Sequence, residues 1–188
     1  MSAVALGCSH TAGTGLTPDE NYVSILSQDL GIEIVNLGVP SGNHAHVQIN
    51  LVKHLQNHRP KFVILQWPNP FRITTWSENV SKKETAQNGG PIYSAMIKSG
   101  DRNFLEPWFQ SIVVSNQICL EAKILTVNML LENVDQEWHD RLMQYNIVLH
   151  VDEKLPGKTW LFDSAASDGL HHSTHCHRQW AQRLKQLL

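Results

Sequence analysis

Three side chains near the two ends of the chain could together carry out nucleophilic acyl transfer. Ser9 follows a short apolar run and lies within residues 7–11, with the sequence Gly-Cys-Ser-His-Thr. Residues 168–171, Asp-Gly-Leu-His, place a carboxylate and an imidazole three positions apart. Acyl transfer requires a hydroxyl, a base that accepts its proton and an acid that orients the base. Because Ser9 lies far from Asp168 and His171 in the sequence, only folding can bring the three together.

The elements that would position these side chains alternate between strand and helix patterns. Residues 62–65 form a continuous apolar run, which is typical of a strand buried on both faces of a parallel sheet. Helical spacing of apolar residues indicates helices between the strands, and Gly31 and Pro60 mark two of the helix ends. This alternation predicts a three-layer α/β/α fold with about five parallel strands. The predicted strands are residues 3–6, 32–37, 62–65, 124–129 and 147–151, and the predicted helices are residues 20–30, 44–58, 105–122, 135–145 and 173–188.

Residues 72–103 interrupt this alternation. The segment is polar, contains Asn-Gly-Gly-Pro at residues 88–91 and has weak periodicity. A loop of this length without secondary structure would be unusual, so we expect some short helix within it. We predict a single domain over residues 1–188, in which residues 72–103 are an insertion or lid.

The composition excludes several classes of protein. The net charge is -2 with histidine neutral, and no run of Lys and Arg is long enough to follow a phosphate backbone, which argues against a nucleic-acid partner. No apolar run approaches the length of a membrane span, and the first residues lack the pattern of a secretory signal. The three cysteines are widely spaced and form no disulfide framework. We therefore expect a cytoplasmic protein; the sequence leaves its oligomeric state open.

Polar residues follow the predicted strands at positions where a site would form. In open parallel sheets, ligands bind at the carboxyl ends of the strands. The first three strands lead to Ser9, to Gly38 and to Asn69, while Asp168 and His171 precede the last helix. The sequence thus predicts that one edge of the sheet collects a serine, a glycine amide, an asparagine, an aspartate and a histidine.

This set of residues resembles the SGNH hydrolases, also called the GDSL esterase/lipase family. Residues 7–11 resemble the first sequence block of the family, residues 36–38 (Asn-Leu-Gly) the second, Asn69 the asparagine of the third, and residues 168–171 the Asp-x-x-His last block. Cys8 stands where the family commonly has Asp, and Trp67 and Pro70 replace the Gly and Asp that flank the third-block asparagine. The resemblance covers nearly the whole chain in block order and implies the flavodoxin-like fold of that family.

The resemblance also implies a role for each residue. Ser9 would be the nucleophile, His171 the general base and Asp168 the group that orients the imidazole. The amides of Ser9 and Gly38 and the side chain of Asn69 would form the oxyanion hole. The implied activity is serine-dependent hydrolysis of small or carbohydrate-linked acyl esters through an acyl-enzyme. That chemistry requires no metal and no other cofactor.

Two further residues are candidates for substrate binding. His10 is adjacent to the serine and is expected to line the pocket. Arg72 follows the third block and could bind a carboxylate or a sugar hydroxyl of the substrate. An arginine at this position could equally form a surface salt bridge.

Three alternatives remain open at this point. The same triad could serve an acyltransferase. The changed third block, Trp-Pro-Asn-Pro at residues 67–70, would suit a non-catalytic ligand-binding module on the same fold. Finally, His171 and His175 are four positions apart and His172 lies beside them, which is a spacing that can bind zinc. These histidines could equally coat the start of the last helix.

Overall fold

A parallel β-sheet forms the centre of the protein. The computed structural model describes residues 2–72, 102–130, 135–151, 167–168 and 171–188. Within these ranges the strands are β1 (Ala3–Gly7), β2 (Ile34–Gly38), β3 (Phe62–Trp67), β4 (Leu125–Leu130) and β5 (Leu149–Val151). The helices are α1 (Ser9–Ala12), α2 (Tyr22–Leu30), α3 (His44–Asn57), α4 (Arg102–Glu121), α5 (Gln136–Met143) and α6 (Thr174–Leu187), and a 3₁₀ turn covers Pro18–Glu20.

The five described strands pair in the order β2-β1-β3-β4-β5, and all four pairings are parallel. Every residue of β1 and β3 is buried, as the continuous apolar run of residues 62–65 predicts for central strands. The order reverses at β1, where the connection after β2 crosses over to β3. Such a reversal opens a crevice at the carboxyl ends of β1 and its neighbours. The three-layer fold predicted from the sequence is confirmed.

Helices cover both faces of the sheet, and the alternation of side chains along each strand divides the core in two. Val4 and Leu6 of β1 pack with α3, α4 and α5, whose buried side chains include Trp108. Ala3 and Ala5 face α2 and α6. On that second face the small alanines leave room for large side chains, which are Tyr22, Leu26, Trp180 and Leu184.

The boundaries differ from the predicted ones in a few places. Helix α1 is absent from the prediction, because one turn is too short to produce a hydrophobic period. Strand β2 begins at Ile34 rather than at residue 32, and β5 begins at Leu149 rather than at residue 147. Helix α4 begins at Arg102, so the last residues of the predicted insertion belong to a helix. The rest of the insertion, residues 73–101, lies outside the described residues, and its status as a lid stays a prediction.

Within the described ranges, no helix is long and apolar enough to cross a membrane.

Candidate active site

Ser9 lies at the carboxyl end of β1, as the first residue of the one-turn helix α1. It is 4% exposed. The chain turns sharply here, because Gly7 is in β1 and Ala12 N already donates to Cys8 O (2.9 Å). A Cβ on Gly7 would overlap Thr11 Oγ1, so the turn depends on the absence of a side chain at this position.

A glutamine from the neighbouring strand holds this turn, and the sequence analysis missed it. Gln66 is fully buried near the end of β3, and its Oε1 accepts from Cys8 N (3.0 Å), Cys8 Sγ (3.2 Å) and Thr11 Oγ1 (3.1 Å). Thr11 Oγ1 also lies 3.0 Å from the hydroxyl oxygen of Tyr22. A glutamine that directly follows an apolar strand run is the signal that could have identified it, since a buried amide requires partners.

Asp168 and His171 form a hydrogen-bonded pair. The Nδ1 of His171 lies 2.5 Å from Asp168 Oδ2, and the backbone N of His171 donates to Asp168 Oδ1 (3.0 Å). Because the carboxylate accepts, Nδ1 carries the proton in this pair and Nε2 keeps its lone pair. The arrangement suits a general base that acts through Nε2.

Three contacts join this pair to the serine turn (residues 7–12) and to Gly15, which follows it. The rings of His10 and His171 meet edge to face with centroids 5.2 Å apart. Ser167 donates to Gly15 O through its hydroxyl (2.7 Å) and its backbone N (3.3 Å). A Cβ on Gly15 would lie 2.8 to 3.0 Å from the carboxylate atoms of Asp168, so the two segments pack closely there. The structure therefore brings Ser9, Asp168 and His171 to one edge of the sheet.

His10 packs within a group of rings beside the serine. Its centroid lies 4.7 Å from that of His172 and 6.1 Å from that of Trp180. Burial, followed by the nearby imidazoles of His172 and His171, holds the pKa of His10 well below its ordinary value. His10 is consequently neutral at physiological pH, and its contacts are with the site histidines.

The amide of Gly38 already has a partner. Gly38 N donates to Asn36 Oδ1 (2.9 Å), and Asn36 Nδ2 donates to Thr11 O (2.6 Å). A Cβ on Gly38 would overlap Ala12 N, so this glycine lets α1 lie directly against β2. The contacts of Gly38 are thus structural, and an oxyanion role for its amide would require Asn36 to release it.

Asn69 lies in the loop after β3, two residues beyond Trp67. Its Oδ1 accepts from Phe71 N (2.8 Å), and its backbone O accepts from Arg72 N (3.1 Å). Trp108 Nε1 donates to Pro68 O (3.1 Å), which ties this loop to α4. Nδ2 is the only donor of this side chain, so it is the atom that an oxyanion role would use.

Arg72 closes the same turn. Its Nη1 is buried and has no hydrogen-bond partner among the described residues. Its charge is close enough to His10 to lower the pKa of that imidazole. Arg72 therefore brings a half-buried cation to the vicinity of the site.

The histidines near the start of α6 do not assemble as a metal site. His171 precedes α6, whereas His175 is exposed on it and contacts Gln179, 3.0 Å away. His172 is buried against Trp180 at a centroid distance of 4.9 Å. Among the residues that the structure describes, no group of three or more His, Cys, Asp or Glu side chains is arranged to hold a metal ion.

Comparison with known proteins identifies the fold. No protein-family model matches the chain. No curated protein matches it either.

Solved structures match over almost the full length of both chains. A protein assigned to the G-D-S-L lipolytic family, from Desulfitobacterium hafniense DCB-2, has a TM-score of 0.66 and 18% identity, covering 100% of this chain and 99% of its own. The psychrotrophic esterase EstA from Pseudoalteromonas sp. has a TM-score of 0.64 and 14% identity, covering 98% and 94%. The acetyl xylan esterase AlAXEase has a TM-score of 0.64 and 12% identity, covering 100% of both chains.

Proposed function

We propose that this chain, which has the fold of the G-D-S-L esterases, is a serine-dependent ester hydrolase. One observation carries the proposal: the hydrogen-bonded Asp168–His171 pair packs against the turn that presents Ser9. The likeness to known esterases supports the fold, and function depends on the site that the fold carries. Here the site contains a hydroxyl, an imidazole with an available Nε2 and a carboxylate that orients it.

The proposed mechanism proceeds through an acyl-enzyme. Ser9 Oγ attacks the ester carbonyl while His171 Nε2 takes the hydroxyl proton. Asp168 accepts from Nδ1, which keeps the imidazole in the correct tautomer and stabilises its cation. The tetrahedral intermediate collapses, and His171 returns the proton to the alcohol that leaves. Water then attacks the acyl carbon while His171 Nε2 takes its proton. His171 returns that proton to Ser9 Oγ as the intermediate collapses, which releases the acid and restores Ser9.

The oxyanion hole is assigned to the amide of Ser9 and the Nδ2 of Asn69. Each such donor typically contributes roughly 3–4 kcal/mol of transition-state stabilisation. Gly38 would join them only in a state in which its amide has left Asn36 Oδ1. The bond from Gly38 N to Asn36 Oδ1 therefore favours Ser9 and Asn69 over Gly38 as the donors.

The substrate class is a small or carbohydrate-linked acyl ester. Arg72, whose buried Nη1 has no partner among the residues that the structure describes, would bind a carboxylate or a hydroxyl of the substrate, since such a donor requires an acceptor. Neutral His10 would border the pocket. An alcohol such as a sugar hydroxyl could replace water in the second step, so an acyltransferase remains the alternative on the same triad.

The experiment that tests the function is the intact mass of the protein after treatment with a small fluorophosphonate. Wild type should gain one phosphonyl group, and Ser9→Ala should gain none. Ser24→Ala retains Ser9 and changes a serine on α2, so it is the matched control that should still be labelled. Failure to label well-folded wild type, together with no hydrolysis of acetyl esters, would favour a non-catalytic binding module.

A further inference from the structure

A single buried side chain connects the serine turn to the loop of Asn69. Strands β1 and β3 pair from Val4–Val63 to Leu6–Leu65, and there the ladder stops. Beyond this point the chain leaves β1 to form the turn at Ser9, while β3 continues beside β4 through Trp67. Peptide groups that would have paired across β1 and β3 need other partners where the two strands separate.

The amide group of Gln66 supplies those partners. Its Oε1 accepts from Cys8 N (3.0 Å), on the departing strand, and its Nε2 donates to Trp67 O (2.9 Å), on its own strand. A primary amide has the same acceptor and donor as a peptide group, so it replaces the missing unit of the ladder. The same Oε1 also accepts from Thr11 Oγ1 (3.1 Å), one turn of helix further on.

These bonds bracket the two groups that act on the substrate carbonyl. Cys8 immediately precedes Ser9, and Thr11 follows it within the same helical turn. Trp67 lies two residues before Asn69. We propose that Gln66 is a positioning residue that fixes the nucleophile relative to the oxyanion donor of Asn69. This inference rests on the proposed function.

The chemistry of the position favours glutamine over its nearest substitutes. A methionine would fill a similar volume and lose both ends of the bridge, which removes the acceptor of Cys8 N and the side-chain donor to Trp67 O. An ionised glutamate could accept from Cys8 N but could not donate to Trp67 O, and its charge would be buried. A Cβ on Gly7 would lie 2.6 Å from Oε1, so the glycine of the first block leaves the space that the amide occupies.

The test compares Gln66→Met with wild type in kcat, in KM and in the rate of fluorophosphonate labelling. Misplacement of a reacting group by about 1 Å costs roughly 10²-fold in rate. We expect kcat to fall by about 10²-fold and the labelling rate to fall in parallel, with KM within about threefold. Ser27→Ala is the control: it removes the hydrogen bond from Ser27 Oγ to Ile32 O (2.6 Å), at the end of the sheet opposite the site. It should lower the midpoint of unfolding without lowering kcat.

Gln66→Glu adds a readout that a purely structural role would not produce. A protonated carboxyl can accept from Cys8 N and donate to Trp67 O, whereas an ionised one cannot donate. Burial raises the pKa of a carboxyl. The ratio of kcat for Gln66→Glu to kcat for wild type should therefore rise as the pH falls from 8 to 6.

Two results would overturn the proposal. One is a Gln66→Met protein whose folded fraction has the kcat of wild type. The other is a loss of kcat in Ser27→Ala that matches the loss in Gln66→Met, both measured on the folded fraction. If neither Gln66 variant folds, a pair of Thr11 variants replaces them. Thr11→Val removes one donor to Gln66 Oε1 and should lower kcat, whereas Thr11→Ser keeps the hydroxyl and should not lower it. Equal activity of these two variants would refute the role of Gln66. A wild type that neither hydrolyses esters nor reacts with fluorophosphonate would instead refute the proposed function, and this inference with it.

Discussion

The two halves of the candidate site are held in different ways. The serine turn is part of the core: Ser9 is 4% exposed, and Thr11 and Gln66 are fully buried. Its bonds connect residues that are far apart in the sequence, as Cys8 N to Gln66 Oε1 does. The acid and base lie near the surface, where the side chains of Asp168 and His171 are 29% and 19% exposed. Their principal bonds are to each other, three residues apart.

This difference separates the effects of substitution on stability from those on rate. A change in the serine turn leaves buried polar groups without partners, so it should lower the free energy of unfolding as well as the rate. A change at Asp168 removes bonds near the surface, where water can replace the lost partner. It should therefore lower the rate and leave the free energy of unfolding nearly unchanged. The nucleophile is positioned by the core of the sheet, and the base is positioned by a local turn that docks on Gly15 and His10.

The largest expected effect is that of Asp168→Asn. Asparagine keeps one oxygen to accept from His171 N and turns an NH2 donor toward Nδ1, which favours the wrong tautomer of His171, so kcat should fall about 10⁴-fold. The free energy of unfolding should change by less than about 1 kcal/mol, because the pair is partly exposed. Ester hydrolysis and urea unfolding measure the two quantities.

Asp140→Asn is the control for Asp168→Asn, since it removes another exposed carboxylate that accepts from a nearby side chain. It should leave both quantities unchanged. If Asp168→Asn lost several kcal/mol of stability, the acid–base segment would be as deeply integrated as the serine turn, and the contrast between them would fail.

The next effect concerns Asn69, on the loop that the core holds through Trp108. Asn69→Ala should lower kcat by about 10²- to 10³-fold with little change in KM, because the oxyanion exists only in the transition state. Asn69→Asp keeps an acceptor for Phe71 N and lacks the Nδ2 donor, so it should be as slow as Asn69→Ala. An active Asn69→Asp protein would assign the residue to the structure of the loop rather than to the oxyanion hole.

A pH-dependent loss of stability, smaller than these effects on rate, should arise at His177 of α6, which bonds to the start of α2. His177 Nδ1 accepts from Tyr22 N (3.0 Å), and burial, with a smaller contribution from His172, lowers the pKa of His177 to about 3. The unfolded chain binds this proton near pH 6.5, where the folded state does not, so stability is complete above pH 6.5 and falls as the pH decreases. His177 alone should account for about 2 kcal/mol, or about 30-fold in the folding equilibrium, between pH 7.5 and 5.

Urea unfolding at pH 7.5, 6 and 5 measures this dependence. His177→Asn keeps an acceptor for Tyr22 N and cannot take up the proton, so its stability should fall less steeply with decreasing pH than that of wild type. His175→Asn changes an exposed histidine on the same helix and should keep the slope of wild type. Equal slopes in wild type and His177→Asn would show that His177 does not titrate on unfolding.

The sequence predicts the fold well because the signals for it are local. The apolar run of residues 62–65 and its helical neighbours specify a buried strand between helices, and β3 is confirmed at Phe62–Trp67. The set of site residues at one edge follows from the same topology. The bonds of Gln66 could not be predicted, since its partner Cys8 is 58 positions away and no pattern in either segment indicates the other. The capture of the Gly38 amide by Asn36 depends on a side-chain rotamer that no spacing specifies.

The smallest expected effect is at Gly15, where the two halves touch. Gly15 has a φ of +82°, and a Cβ there would lie 2.8 Å from the Asp168 carboxyl carbon. Gly15→Ala should therefore displace Asp168 and lower kcat about 10-fold, in addition to a backbone cost of roughly 1 kcal/mol. Gly31→Ala carries a similar backbone cost, since its φ is +64° and no atom lies within 4 Å of its Cβ, so it should lose stability without losing rate. A Gly15→Ala protein with the kcat of Gly31→Ala would mean that Asp168 tolerates movement, and that its bonds to His171 alone keep the base in place.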